Sequence, residues 1–133
     1  MKKIMFIPVL LALAACGGGR SNINDDKVFF AFDSAEMTTC ATNEMKSQAN
    51  YMKHNRDVDV VLEGHCDERG STEYNLALGA LRAGNAAHVI LKEGIEPERV
   101  KTISYGKERP QYLGTGEEVW AKNRNVTTKA TSK

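Results

Sequence analysis

The chain has 133 residues, 41% of them hydrophobic and 26% charged, with 18 Lys and Arg against 17 Asp and Glu. That length suits one domain with a single core. A formal net charge of +1 argues against nucleic acid as a partner and against a membrane surface held by charge alone.

The N-terminus changes what counts as the mature protein. Met1-Lys2-Lys3 is a short basic start, and residues 4–15 form an apolar run broken only by Pro8. A basic start followed by an apolar stretch of this length reads as a secretory signal. It is too short for a bilayer span, which needs about 20 apolar residues. The run ends in Leu13-Ala14-Ala15-Cys16. This resembles the lipobox of bacterial lipoproteins, in which a Leu and two small residues precede the Cys that is diacylated and becomes the first residue. Two or three acyl chains on one Cys make a stable anchor where a single chain holds only marginally. Gly17 follows, with no Asp there; in enterobacterial lipoproteins that pattern implies transfer to the outer membrane. Cleavage would remove Lys2 and Lys3 and no acidic residue, leaving the chain nearly neutral. Export would also leave Cys40 and Cys66 in an oxidising compartment, where a bridge between them is open to the chemistry. Spacing does not decide whether they come within reach.

Residues 16–27 read as the lipidated N-terminus and a flexible tether, because Gly17-Gly18-Gly19-Arg20-Ser21-Asn22 is Gly-rich and polar. Val28-Phe29-Phe30-Ala31-Phe32 predicts a first strand, ended by Asp33-Ser34. Met37, Ala41, Met45, Ala49 and Met52 recur at helical spacing, which predicts a helix with its core stripe there and with Ser34 or Thr38 as cap. Residues 58–64 predict a second strand. A polar loop from His65 to Thr72 leads to a second helix at about 73–92, with Leu78, Leu81, Ala86 and Val89 inward and Gly94 at its end. A turn at 95–99, a third strand at 100–105, a long loop at 106–117, a helical turn at 118–123 and a last strand from Arg124 complete the chain. The tail from Thr127 to Lys133 lacks apolar alternation, so a short or edge strand is expected there. The order β-α-β-α-β-β predicts an α+β fold with a mixed four-stranded sheet and two main helices on one face.

The information is densest from Glu63 through Arg82. A strand end, a polar loop and a helix start bring together the carboxylate of Asp67, the imidazole of His65, the amide of Asn75 and the guanidiniums of Arg69 and Arg82. Asn75, Leu78 and Arg82 share one helical stripe. Such a group suits a zwitterion: a carboxylate takes an ammonium, and an arginine fork takes a carboxylate. The residues do not name the ligand.

Four segments carry a resemblance: Phe30-Ala31-Phe32-Asp33, then Glu63-Gly64-His65-Cys66-Asp67-Glu68-Arg69-Gly70, then Tyr74-Asn75 through Arg82-Ala83, and Ser104-Tyr105-Gly106-Lys107-Glu108 to Pro110. With Lys122-Asn123-Arg124-Asn125 near the end, they are similar, in unbroken order, to the OmpA-like peptidoglycan-binding domain, and within that family to the lipoproteins of the Tol-Pal system. The resemblance assigns residues 28–133 to a βαβαββ domain of this kind. It implies non-covalent binding of the diaminopimelate stem peptide, with Phe32, Asp33, Asp67, Arg69, Leu78 and Arg82 at the ligand. His65, Asn75, Asn123 and Arg124 would be supporting residues, His65 by hydrogen bonds that brace the loop. It further implies Tol-system periplasmic partners, a tether between outer membrane and cell wall, and a role in envelope integrity and cell division. It implies neither turnover nor a cofactor. Cys66 stands where the family has Thr, and Asn125 where it has a second Arg.

Two other readings compete. One is a generic anchor lipoprotein of the same family without Tol partners. The other is a periplasmic thiol or metal enzyme at His65-Cys66-Asp67. Adjacent strand residues point to opposite faces, so His65 is poorly placed to activate Cys66. No His-x-x-x-His or Cys-x-x-Cys accompanies them.

Overall fold

The computed structural model describes residues 21–133. The expected signal segment (residues 1–15), Cys16 and most of the Gly-rich stretch lie outside the described residues. The elements in chain order are β1 (Lys27–Phe29), α1 (Thr39–His54), β2 (Val58–His65), α2 (Thr72–Lys92), a 3-10 turn (Pro97–Arg99), β3 (Val100–Gly106), α3 (Glu117–Asn123) and β4 (Asn125–Ser132). The sheet order is β1-β4-β2-β3. β2 and β3 are parallel, while β4 is antiparallel to both its neighbours. This is the expected mixed sheet in an α+β fold, with α3 as a third helix.

α1 begins where Thr38 accepts a hydrogen bond from the Ala41 amide at 3.0 Å, satisfying one orphan donor of the first turn. Its inward stripe is Ala41, Met45, Ala49 and Met52, all buried. Met37 precedes the cap and packs against the same cluster. In β2, alternation puts Val58, Val60 and Leu62 on the helix-covered face. α2 starts at Ser71, whose hydroxyl accepts from the Tyr74 amide. It lays Ala83, Ala86, Ala87 and Ile90 on the same core. Each fully buried Leu, Ile or Met here contributes about 1.5–3 kcal/mol.

Four expectations are corrected. Leu81 is 59% exposed, because the buried stripe runs through Leu78, Arg82 and Ala86 and leaves Leu81 on the solvent side. β1 ends at Phe29, and the chain turns at Ala31–Ser34 with a backbone bond from the Ser34 amide to the Ala31 carbonyl. The expected tether is shorter, since Ile23 is fully buried and the amides of Asp25 and Thr128 bond to the carbonyls of Thr128 and Asp26. Most sharply, β4 is neither short nor an edge. It spans eight residues and pairs on both sides.

The reason for the last correction is polar satisfaction. Thr127 and Thr128 are fully buried. The Thr128 hydroxyl donates to Oε1 of the buried Gln48 at 2.6 Å, and the Thr127 hydroxyl donates to Asn125 Oδ1 at 2.7 Å. Threonine is β-branched and fits a pleated strand, and a buried hydroxyl costs little once it is bonded. An inner strand can therefore be polar in sequence.

α2 meets β2 at closest approach through two glycines. A Cβ on Gly64 would stand 1.9 Å from the carbonyl oxygen of Gly79. Gly84, by contrast, has open space where a Cβ would go. Gly84→Ala is expected to stabilise the domain by about 1 kcal/mol through helix propensity. A thermal melt checks it, and an unchanged or lowered midpoint would count against it.

Candidate functional site

β2 runs out at His65 and delivers Cys66, Asp67 and Arg69 into a loop over the start of α2. A cavity of about 360 Å³ lies between this loop, the Phe32-Asp33 turn and the first turns of α2. Its lining includes Phe32, Asp33, Asp67, Arg69, Leu78 and Arg82, the six residues that the resemblance put at the ligand. Cys66, Gly70, Tyr74 and Asn75 complete it. The volume is at the small end of ordinary ligand pockets, roughly 300–1,000 Å³.

Asp67 is buried, and Arg69 grips it. Nε and Nη2 of Arg69 donate to the two carboxylate oxygens at 3.2 and 2.8 Å, and the Arg69 amide adds a third bond at 3.0 Å. Nη1 of Arg124 stands 3.5 Å from the same carboxylate. A carboxylate has about four acceptor positions, and the fourth is on Oδ2, the oxygen that Arg124 faces. Burial pushes the Asp67 pKa up. The hydrogen bonds from Arg69 and the charges of Arg69 and Arg124 outweigh that and hold it below the usual carboxylate value. A depressed folded pKa contributes stability that is present above the unfolded value of about 3.9 and lost as pH falls through the folded one. Stability from Asp67 should thus be intact at neutral pH and fade below about pH 4. Comparing acid unfolding of the wild type with Asp67→Asn checks this: the variant should lose less on acidification, and parallel curves would refute it.

Arg69 is held in turn between two rings. Its guanidinium carbon lies 4.0 Å from the ring centre of Phe32 and 4.0 Å from that of Trp120. The Trp120 indole N–H donates to Glu68 at 2.9 Å. Arg82 is 1% exposed. Nε donates to the Ser34 carbonyl, Nη1 to that of His65 and Nη2 to that of Ala31, at 2.8, 2.9 and 3.1 Å. Arg82 therefore ties β2, the turn after β1 and α2 together. Three of its five N–H donors are used in these bonds. Burial lowers its pKa, yet a guanidinium stays charged in proteins.

Asn75 donates to the carbonyls of Arg69 and Ser71, so it braces the loop. Asn123 braces the long loop, accepting from the amides of Gln111 and Tyr112. Arg124 donates to the Phe30 carbonyl and grips Glu117. Asn125, where the family has Arg, is fully buried and bonds to Gln111 and to the Lys122 carbonyl.

His65 departs from expectation. Its ring is buried, and among the described residues neither nitrogen meets a partner at normal hydrogen-bond length; Glu63 lies 3.6 Å away and the Tyr105 ring centre 5.6 Å. Its backbone carbonyl does the bracing instead. Burial lowers its pKa. The Cys40–Cys66 bridge is also corrected: Cys66 is a free, buried thiol whose Sγ contacts the Asn75 carbonyl at 3.3 Å. Burial pushes this thiol up, which disfavours the nucleophilic thiolate.

Sequence reasoning missed Tyr74 and Trp120. The Tyr74 hydroxyl donates to Asp33, and its place in the first turn of α2 beside the loop was an available signal. Trp120 is the single Trp of the chain, but no local spacing links it to Arg69.

The OmpA family matches residues 29–124, a span that carries the whole cavity. The chain belongs to the OmpA family. It is 42% identical over 103 residues to the peptidoglycan-associated lipoprotein of Mesorhizobium japonicum, covering 77% of this chain and 61% of that protein. It is 41% identical over 101 residues to the protein of the same name in Pseudomonas aeruginosa, covering 76% and 60%. The chain thus spans about three fifths of these curated relatives' length. The crystal structure of the peptidoglycan-associated lipoprotein from Burkholderia pseudomallei superposes with a TM-score of 0.76 at 33% identity, over 79% of this chain and 89% of that one. The C-terminal domain of Helicobacter pylori MotB superposes with a TM-score of 0.75 at 20% identity, over 81% and 85%; that likeness concerns the fold alone.

Proposed function

We propose that this domain binds peptidoglycan non-covalently, through the diaminopimelate residue of the stem peptide. One observation carries the reading: two carboxylates, Asp33 and Asp67, and two guanidiniums, Arg69 and Arg82, line one small cavity. That balance favours a ligand with both charges. Asp67 takes the side-chain ammonium, Arg82 takes a carboxylate, and Phe32 and Leu78 pack on the aliphatic stem. The backbone N–H groups of the Phe32-Asp33 turn and the loop complete the pocket. The relatives' names, peptidoglycan-associated lipoprotein, support peptidoglycan as the target.

Acylated Cys16 then holds the other end in the outer membrane, with the domain in the periplasm. The molecule is a tether and carries out no turnover. A place in the Tol-Pal system, with Tol periplasmic proteins as partners and a part in envelope integrity and cell division, rests on the family resemblance. Co-purification from cross-linked envelopes tests it, and recovery of wall fragments without any Tol protein would favour the generic anchor.

The deciding experiment is calorimetric titration of the mature chain with a diaminopimelate tripeptide and with its lysine counterpart. The two differ by one carboxylate. Saturable binding of the first and at least about tenfold weaker binding of the second is expected, because Arg82 loses its partner. Equal binding of both would remove Arg82 from the recognition, and binding of neither would overturn the ligand.

A further inference from the structure

The outward face of α2 carries apolar residues that the domain's own core does not use. Tyr74, Leu81 and Leu91 are 51%, 59% and 37% exposed. With Ala77, Gly84 and His88, also exposed, they follow one another at helical spacing down the solvent side. A single exposed Leu is ordinary, but an apolar stripe along a whole helix is the pattern of a docking face. Gly84 sits in the middle of it. A glycine there weakens the helix relative to Ala, and nothing among the described residues lies within 4 Å of the point where its Cβ would be. Packing inside the domain therefore does not account for it.

The stripe is complementary to itself when a second α2 lies across it antiparallel. In a pair centred between Arg82 and Ala83, Leu81 stands level with Gly84 of the second copy, a large side chain at a notch. Ala77 stands level with His88, again small with large, and Tyr74 with Leu91. At the ends Glu73 stands level with Lys92, and both are exposed. Two-fold symmetry makes each of these pairings twice. A helix by itself prefers acid in its first turn and base in its last. An antiparallel copy turns that preference into cross-pairs of opposite charge, whereas a parallel copy would set like charges together.

We infer that α2 is the interface of a two-fold homodimer, and that the occupant of this face is the α2 of a second copy of this chain. From Glu73 to Lys92 the helix runs about 30 Å, and a strip about 10 Å wide along it covers roughly 300 Å² per copy. Stable complexes bury about 800 Å² per partner. The pairing is therefore weak in free solution, with a Kd on the order of 0.1–1 mM. Confinement to one membrane raises the effective concentration. The main cavity lies at the N-terminal end of α2, so an antiparallel pair carries a cavity toward each end and holds two stem peptides. These two consequences rest on the reading above; the contact itself does not.

Sedimentation equilibrium of the mature chain tests it, with Cys16→Ser in every sample so that no disulfide joins two copies there. The parent chain should show a monomer–dimer equilibrium as its concentration approaches about a millimolar. Glu73→Lys and Lys92→Glu should each weaken it about fivefold or more, since each turns two attractions into two repulsions. The double variant Glu73→Lys/Lys92→Glu should restore it, and Leu81→Lys should abolish it. All three positions are exposed, and a thermal melt checks that each variant folds. A chain that stays monomeric at about a millimolar overturns the interface. So does a dimer that every variant leaves intact, or a charge reversal whose loss the double variant fails to repair.

Discussion

Asp67→Asn should reduce affinity for a diaminopimelate tripeptide by about a hundredfold or more, which is about 3 kcal/mol, while the domain still folds. The substitution keeps shape and volume and removes one negative charge. Two effects act in the same direction. The ligand ammonium loses its counter-charge. Arg69 and Arg124, at 2.8 and 3.5 Å from the lost carboxylate, become an uncompensated positive pair beside an incoming cation. The fold survives because Arg124 keeps Glu117, whose Oε1 lies 2.7 Å from its Nη2, and because Arg69 keeps the faces of Phe32 and Trp120. Calorimetry and a thermal melt on the same sample separate binding from folding. Binding within threefold of wild type would mean that Asp33, which lines the same cavity, is the residue that takes the ammonium. A parallel Asp33→Asn titration would then show the large loss instead.

Gly64→Ala is expected to be the most damaging small substitution in the domain, at about 3 kcal/mol or more and roughly a 15 °C fall in melting midpoint. The added methyl would sit 1.9 Å from the Gly79 carbonyl oxygen and 2.6 Å from its carbon. Both are backbone atoms, so relief requires α2 to move off β2. That movement also pulls Asn75, Leu78 and Arg82 from the loop carrying Asp67, and ligand binding should fail with stability. Gly79→Ala is the internal control. Its methyl would meet Ser104 Oγ at 2.3 Å and the Gly64 carbonyl oxygen at 3.1 Å. A serine side chain can turn away, so the loss there should be smaller. A Gly64→Ala midpoint within a few degrees of wild type would show that α2 yields at little cost, and the close packing would then not set the cavity's width.

The arginines show where residue-level reading reaches its limit. The resemblance puts Arg82 at the ligand and Arg124 in support, and both brace the fold by donating to backbone carbonyls. Arg99 drew no functional reading, yet it is 9% exposed and bonds to the carbonyls of Met52, Asn55 and Val58. A guanidinium's several donors suit both tasks, and which carbonyls lie near is a property of the folded chain.

Local sequence determined most of the elements and the group that lines the cavity, because those depend on short spacings. The stripe of Ala41, Met45, Ala49 and Met52, the alternation of Val58, Val60 and Leu62, and the shared face of Asn75, Leu78 and Arg82 all follow from the periods of helix and strand. Tertiary structure alone decided what depends on distant partners. It placed polar β4 in the middle of the sheet, because Gln48 on α1 satisfies Thr128. It kept Cys66 a free thiol and placed Glu63 3.6 Å from the His65 ring, beyond normal hydrogen-bond length. It also brought Trp120 across from α3 to close Arg69 against Phe32. Such contacts join residues up to about ninety positions apart, and only packing of the whole chain brings them together.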